Sequence, residues 1–142
     1  MSTRSVVRFA KREEGVSFSE HPERVEVQVY KHYDGYPSGH PVDLANFLNR
    51  FRIVNGLTNK SVKVANGLGC LAAQYVAEFK MEPGDIYVEN PDKKHGDIDY
   101  ITYVWGVENK NIYMSIFDVY EDMCVFVGKP EDLIEKYEYS DN

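Results

Sequence analysis

The residue types best suited to chemistry crowd into the stretch Tyr30–Pro41, which reads YKHYDGYPSGHP. His32 and His40 offer imidazoles that can move a proton near neutral pH, Asp34 a carboxylate able to orient one of them, and Ser38 a hydroxyl. His32, Asp34 and His40 are therefore the candidate catalytic groups. No GxSxG elbow, HExxH pair or His-x-His metal spacing accompanies them, so the pattern supplies groups for acid–base work without naming a reaction. The same stretch suits a second chemistry. A glycine-rich loop running into a helix gathers backbone N–H groups at the positive end of the helix dipole, where a phosphate or carboxylate can be held. Gly39, Ser38 and His40 would supply donors, and Tyr30, Tyr33 and Tyr36 would supply rings beside them. The spacing is not GxxxxGK[ST], so this is no P-loop. A plain structural role stays open beside both: Asp34-Gly35 makes a turn, Pro37 stiffens it, Gly35 and Gly39 are free to take positive φ, and Ser38 or His40 caps the helix.

Elsewhere the signals are thinner. Asp92, Asp97 and Asp99 with His95 could attract a cation, but they lack the glycine placement and terminal Glu of an EF-hand loop and read as a solvated hairpin loop. No metal site is expected. Arg4, Arg8, Arg50 and Arg52 are the basic residues near the motif-bearing elements, and Arg is suited to forked recognition of phosphate. Asn66 and Gln74 are the polar residues of an otherwise small or apolar segment. Asn66, near its start, either caps that helix or reads a ligand.

Three stretches carry a resemblance: Ser2–Arg8 (STRSVVR), Lys31–Leu48 (KHYDGYPSGHPVDLANFL) and, more loosely, Ala65–Phe79 (ANGLGCLAAQYVAEF). The chain resembles a family of short prokaryotic and phage proteins with an N-terminal Thr-Arg-Ser strand and a DGYPSG loop before a helix. The resemblance implies a phage setting, in which a protein of this size could sequester a host signalling nucleotide as counter-defence.

The elements that must position these residues follow from periodicity. Thr3–Lys11 and Arg24–Tyr33 read as strands joined by a polar connection. In the second, Val25, Val27 and Val29 alternate with Glu26, Gln28, Tyr30 and His32, so one face meets a core and the other carries polar and aromatic groups. After the DGYPSGH loop, Leu44, Phe47, Leu48 and Phe51 recur at helical spacing behind Pro41. A loop through Asn55-Gly56 and Thr58 leads to a second helical stripe of Leu68, Leu71, Tyr75, Val76 and Phe79. That helix is apolar nearly all round. Period-two patterns resume at Asp85–Glu89, Asp97–Glu108, Asn111–Tyr120 and Met123–Val127, with tight turns at Asn109-Lys110 and Glu121-Asp122, and a helix from Pro130 closes the chain. The expected fold is α+β: an antiparallel sheet of about six strands in the order β-β-α-α-β-β-β-β-α, with helices packed on one face. With no βαβ alternation, doubly wound folds and their dinucleotide crevice fit the pattern poorly.

With 142 residues, one domain spanning 1–142 is expected, large enough for a real core. Sixteen basic against 23 acidic side chains leave a net charge of −7, which repels long nucleic acid. No apolar run is long enough for a membrane span or secretory signal, and Cys70 and Cys124 read as two buried free thiols, so a cytoplasmic protein without disulfides or cofactor is expected. Aromatics make up 13% of the chain, and in the strands they fall on both faces: Tyr103 and Trp105 on one, Tyr100 on the other. That distribution predicts an outer sheet face covered by another subunit or by a planar ligand. The leading expectation is a homo-oligomeric, non-enzymatic protein binding a small anionic, nucleotide-like molecule at the DGYPSGH loop. A nucleotide hydrolase using the loop's His and Asp, and a protein–protein interaction module, are the alternatives.

Overall fold

The computed structural model describes residues 2–13, 15–54, 63–106 and 112–138. The expected loop at Asn55-Gly56 and Thr58, and the turn at Asn109-Lys110, lie outside them. The described chain runs β1 (Ser5–Lys11), β2 (Val25–Lys31), α1 (His40–Leu48), β3 (Phe51–Val54), β4 (Lys63–Asn66), α2 (Gly67–Phe79), β5 (Ile86–Glu89), β6 (Tyr100–Gly106), β7 (Tyr113–Asp118), β8 (Met123–Gly128) and α3 (Pro130–Tyr137). Six strands form one sheet in the order β5-β2-β1-β6-β7-β8. The fold is α+β, as the periodicity predicts.

Two features differ from the expectation. The sheet is mixed, because β1 pairs with β6 in parallel while the other four pairings are antiparallel. The chain leaves β1, turns back as β2, and builds both helices and β5 before β6 takes the free side of β1. A parallel neighbour needs a long crossover of this kind, and here it includes two strands of the same sheet, β2 and β5. The second difference lies between the helices. Phe51 does not extend α1 but opens β3, which pairs in parallel with β4 as a separate two-stranded sheet.

The core lies between one sheet face and the three helices. Val7 and Phe9 of β1, Val29 of β2, Val104 of β6, and Met114 and Ile116 of β7 meet Leu44, Phe47 and Leu48 of α1, Leu71 and Tyr75 of α2, and Leu133 of α3. Burying each large apolar side chain contributes about 1.5–3 kcal/mol before chain entropy is counted. At the start of α3, the Lys129 backbone N–H donates to the Asp132 carboxylate at 2.9 Å, and Pro130 needs no partner for the amide it lacks.

The outer face carries a second cluster of Tyr103, Trp105 and Phe117. It is covered by the chain itself rather than by a subunit or a planar ligand, the two covers expected from the sequence. The β1–β2 connection folds over it: Phe18 stacks on Tyr113 at 4.5 Å and meets Trp105 edge-on at 5.3 Å, and His21 stacks on Phe117 at 4.1 Å. The Trp105 indole N–H donates to Ser115 Oγ at 2.8 Å, so the buried polar tip is satisfied. Aromatics on both faces here reflect two cores of one chain. Cys70 and Cys124 are unpaired, as read, but each is half-buried rather than buried.

No helix among the described residues is long and apolar enough to cross a membrane.

Candidate functional site

The DGYPSGH loop is a closed, tightly packed turn. Asp34 takes positive φ, at 60°, and its carbonyl accepts from the His40 N–H at 2.7 Å; Gly39 N–H donates to Tyr36 O at 2.9 Å, and Gly35 N–H to Thr3 O at 2.9 Å. The two glycines serve close approach rather than positive φ, which corrects the reading from the sequence. A Cβ on Gly35 would stand 2.5 Å from Ser5 Oγ, and one on Gly39 would stand 2.5 Å from Asp34 O and 2.8 Å from the Tyr36 ring. No side chain caps α1, so the capping role expected of Ser38 or His40 is not taken up.

His40 is only 4% exposed, its Nε2 lies 2.6 Å from the Tyr75 hydroxyl, and its ring packs edge-on against Phe79. Burial, helped by the charge of Lys31, pushes its pKa down to about 3, so the ring is neutral. A base shut inside the core cannot reach a substrate. Asp34 is exposed and its carboxylate bonds neither histidine, while His32 meets Tyr33 edge-on at 4.5 Å. The three candidate catalytic residues therefore do not converge on one reacting point. Beside them, Lys31 and Asp85 form a close pair, with Nζ at 2.8 and 2.9 Å from the two carboxylate oxygens. The Tyr33 backbone N–H also donates to Asp85 at 3.2 Å, and although burial raises the Asp85 pKa, the bonds and charge of Lys31 outweigh it and hold the group ionised.

A larger feature lies on the opposite face. Strand pairing lines up one residue from each of four neighbouring strands: Glu89 of β5 opposite Gln28 of β2, Gln28 opposite Arg8 of β1, and Arg8 opposite Tyr103 of β6. Adjacent strands are about 4.8 Å apart, so the row spans about 14 Å. Its members are hydrogen-bonded into their surroundings. Arg8 Nη1 donates to the Tyr103 hydroxyl at 3.1 Å and Nη2 to Pro91 O at 3.0 Å; Gln28 Nε2 donates to Glu89 Oε1 at 2.7 Å and to Lys93 O at 3.0 Å. A histidine terminates each end. His95 Nε2 lies 2.6 Å from Glu89 Oε1, and His21 Nδ1 lies 2.7 Å from the Tyr103 hydroxyl. Burial and the nearby Arg8 charge lower the His21 pKa, which favours its neutral ring as acceptor of the Tyr103 proton.

Between this row and the segment after β5 opens a cleft of about 540 Å³, a volume in the range of small-molecule sites. Val6, Ile101, Ile98 and Val119 give it an apolar surface, and Arg8 and Gln28 give it a polar wall. Lys93, Lys94 and Asp92 add two positive charges and one negative. Arg8 is the unusual member. Among the described residues it pairs with no carboxylate, its bonded partners are neutral oxygens, and its Nε is buried without a hydrogen-bond partner. A half-buried cation in that state is a ready partner for an anion.

The structure distributes the other predicted ligand residues as follows. None of Arg4, Tyr30, Tyr33, Asp34, Tyr36, Ser38, Gly39, His40 and Asn66 lines the cleft. Two border it: Tyr30 stacks on His95 with centroids 4.7 Å apart, and Arg4 pairs with Asp97 at 3.6 Å. Burial, then the Asp97 charge, raises the Tyr30 pKa, so its hydroxyl stays protonated. Asn66 occupies the N-cap position of α2, on the helix side, and makes no side-chain capping bond there. The segment holding Asp92, Asp97, Asp99 and His95, read as a solvated loop, forms one wall of the cleft. Its acidic residues form no group of three metal-ligating side chains, nor does any other set among the described residues. Gln28 and Glu89 were outside the predicted site. The alternation of β2 does place Gln28 beside Tyr30 on the outer face, but nothing local pairs it with Arg8.

Comparisons with protein-family models, with curated proteins and with solved structures found no match.

Proposed function

We propose that this chain binds a small anionic, nucleotide-like molecule in the outer-face cleft, with Arg8 as the group that holds the anion. The observation that carries the reading is the Arg8 guanidinium, half-buried, unpaired by any carboxylate among the described residues, and with a buried Nε lacking an acceptor. Lys93 and Lys94 raise the local potential, while Val6, Ile101 and Ile98 offer surface to an uncharged portion of the same molecule. A net charge of −7 on the whole chain disfavours a long polyanion and leaves a small one as the better fit to a local basic site. A hydrolase using His40 finds no support in a ring buried to 4% and bonded to Tyr75. Sequestration of a signalling nucleotide in the cytoplasm is the setting this proposal fits; a second copy of the chain is not required by the cleft.

Isothermal titration with adenosine 5′-monophosphate, on the wild type and on Arg8→Gln, tests the reading. Saturable binding by the wild type, weakened about tenfold or more in Arg8→Gln, supports it, since a hydrogen bond to a charged group contributes about 1.5–3 kcal/mol. Equal affinity in the two proteins moves the site elsewhere and removes the reading.

A further inference from the structure

The polar row holds acceptors as well as a cation. Gln28 is 2% exposed, and its amide orientation is settled by its partners: Nε2 meets Glu89 Oε1 and Lys93 O, both of which can only accept from it when Glu89 is ionised. Both amide protons are thereby committed. Gln28 Oε1 is left as an acceptor, it makes no hydrogen bond among the described residues, and the residue lines the cleft. His95 repeats the arrangement. Its Nε2 meets the same Glu89 oxygen, which places the ring proton on Nε2 in the neutral ring and leaves Nδ1 with a lone pair. Nδ1 also has no partner among the described residues, and His95 lines the cleft. The stack on Tyr30 holds the ring in place.

Glu89 Oε1 therefore turns two side chains the same way: it accepts a hydrogen bond from the amide and another from the imidazole, so that each presents an acceptor beside the Arg8 cation. A small inorganic anion engages Arg8 with its charge but cannot span to both acceptors with neighbouring hydroxyls. A ligand that also carries neighbouring hydroxyl groups can satisfy all three.

Resting on the anion reading above, we propose that the cleft selects phosphate esters of a polyhydroxylated sugar, with Gln28 Oε1 and His95 Nδ1 accepting from hydroxyls of the sugar while Arg8 holds the phosphate. Gln28 and His95 are then the residues that determine specificity, and no covalent step is involved.

The test is calorimetric, with three probes: sodium phosphate, ribose 5-phosphate and 2-deoxyribose 5-phosphate, the last lacking one hydroxyl. The wild type is expected to bind ribose 5-phosphate about tenfold more tightly than the deoxy sugar, the worth of one hydrogen bond of about 1.4 kcal/mol. In Gln28→Met and in His95→Phe, the preference for ribose 5-phosphate over the deoxy sugar should shrink in at least one variant, and an undiminished preference in both overturns the assignment to these two residues. Equal affinity of the wild type for the two sugars overturns the specificity and leaves anion binding standing. Absence of binding by all three phosphates overturns the specificity, and absence of binding by adenosine 5′-monophosphate as well removes the anion reading. Should Gln28→Met fail to fold, His95→Phe carries the residue test beside the comparison of the two sugars on the wild type.

Discussion

His40 and Tyr75 meet at 2.6 Å in the core between the sheet and the helices, so the most reactive residue type in the DGYPSGH loop is used to fasten α1 to α2. The ring is held neutral, with a pKa near 3 against an ordinary value of 6.5, mainly because burial disfavours its charged form. In the unfolded chain the same ring takes a proton as pH falls through about 6.5, so acid favours unfolding over the interval from about 6.5 down to about 3. The stability that His40 contributes is present above pH 6.5 and is lost as pH falls through that window. Urea midpoints measured at pH 7.5 and pH 5 should fall on acidification in the wild type, and fall less in His40→Gln. An equal fall in both proteins would remove His40 from the account. The lowered pKa values of His21 and Asp85 act in the same direction and remain in the variant.

The loop glycines make a separate prediction. Gly35→Ala forces a methyl group onto Ser5 Oγ at 2.5 Å and onto Ser5 Cβ at 2.6 Å, and Ser5 belongs to the central strand. The loop or the end of β1 must shift, at a cost of about 1–3 kcal/mol. Gly69→Ala, on the open side of α2 where nothing lies within 4 Å of the added carbon, should be neutral or stabilising by up to about 1 kcal/mol. Thermal melts of the two variants side by side check both statements. A melt for Gly35→Ala at or above that of Gly69→Ala would contradict the packing argument.

Phe18 tests whether the β1–β2 connection is structural cover. Its ring contacts Tyr113 and Trp105, and the Arg12 guanidinium sits 4.6 Å above it. Phe18→Ala should destabilise the chain by about 1–3 kcal/mol, less than a fully buried Phe because this one is half-buried. Trp105 is the single tryptophan, so its fluorescence reports the site directly. Emission should shift to longer wavelength in the variant under native conditions as water reaches the indole. An unchanged spectrum with unchanged stability would mean that the connection does not cover the cluster in solution.

At the cleft, Lys93 and Lys94 lie on an exposed segment and form no ion pair among the described residues. Replacing both by Gln should weaken adenosine 5′-monophosphate binding by about two- to tenfold at low ionic strength, and by less at 0.5 M salt, because exposed charges are screened. Arg8→Gln should weaken it at both salt concentrations, since a partly buried donor is screened less. Titrations at the two ionic strengths distinguish long-range attraction from direct contact. Equal salt dependence in the two variants would assign Arg8 to attraction alone.

Sequence periodicity determined the strands of the six-stranded sheet and the helices, but not the short β3–β4 pair between α1 and α2. The alternation of Val25, Val27 and Val29 with Gln28 and Tyr30 decides which side of β2 is buried, and Leu44, Phe47 and Leu48 decide the inward stripe of α1, because those patterns are local properties of strand and helix geometry. The loop before α1 was equally legible from its residues, although its hydrogen-bonded turn runs over Tyr36–Gly39 and not at Asp34-Gly35. What only the tertiary structure decided is which strand lies next to which. Arg8 and Tyr103 are 95 positions apart, and β1 meets β6 in parallel although four strands and two helices separate them along the chain. Period-two patterning assigns a side chain to a face but carries no information on its neighbour in the adjacent strand. That is why the sequence drew attention to a loop whose histidine proves to be core, and why Arg8, Gln28, Glu89 and Tyr103, each ordinary by itself, stand together only once strand order and register set them in one row, with His95 brought to its end by the segment after β5.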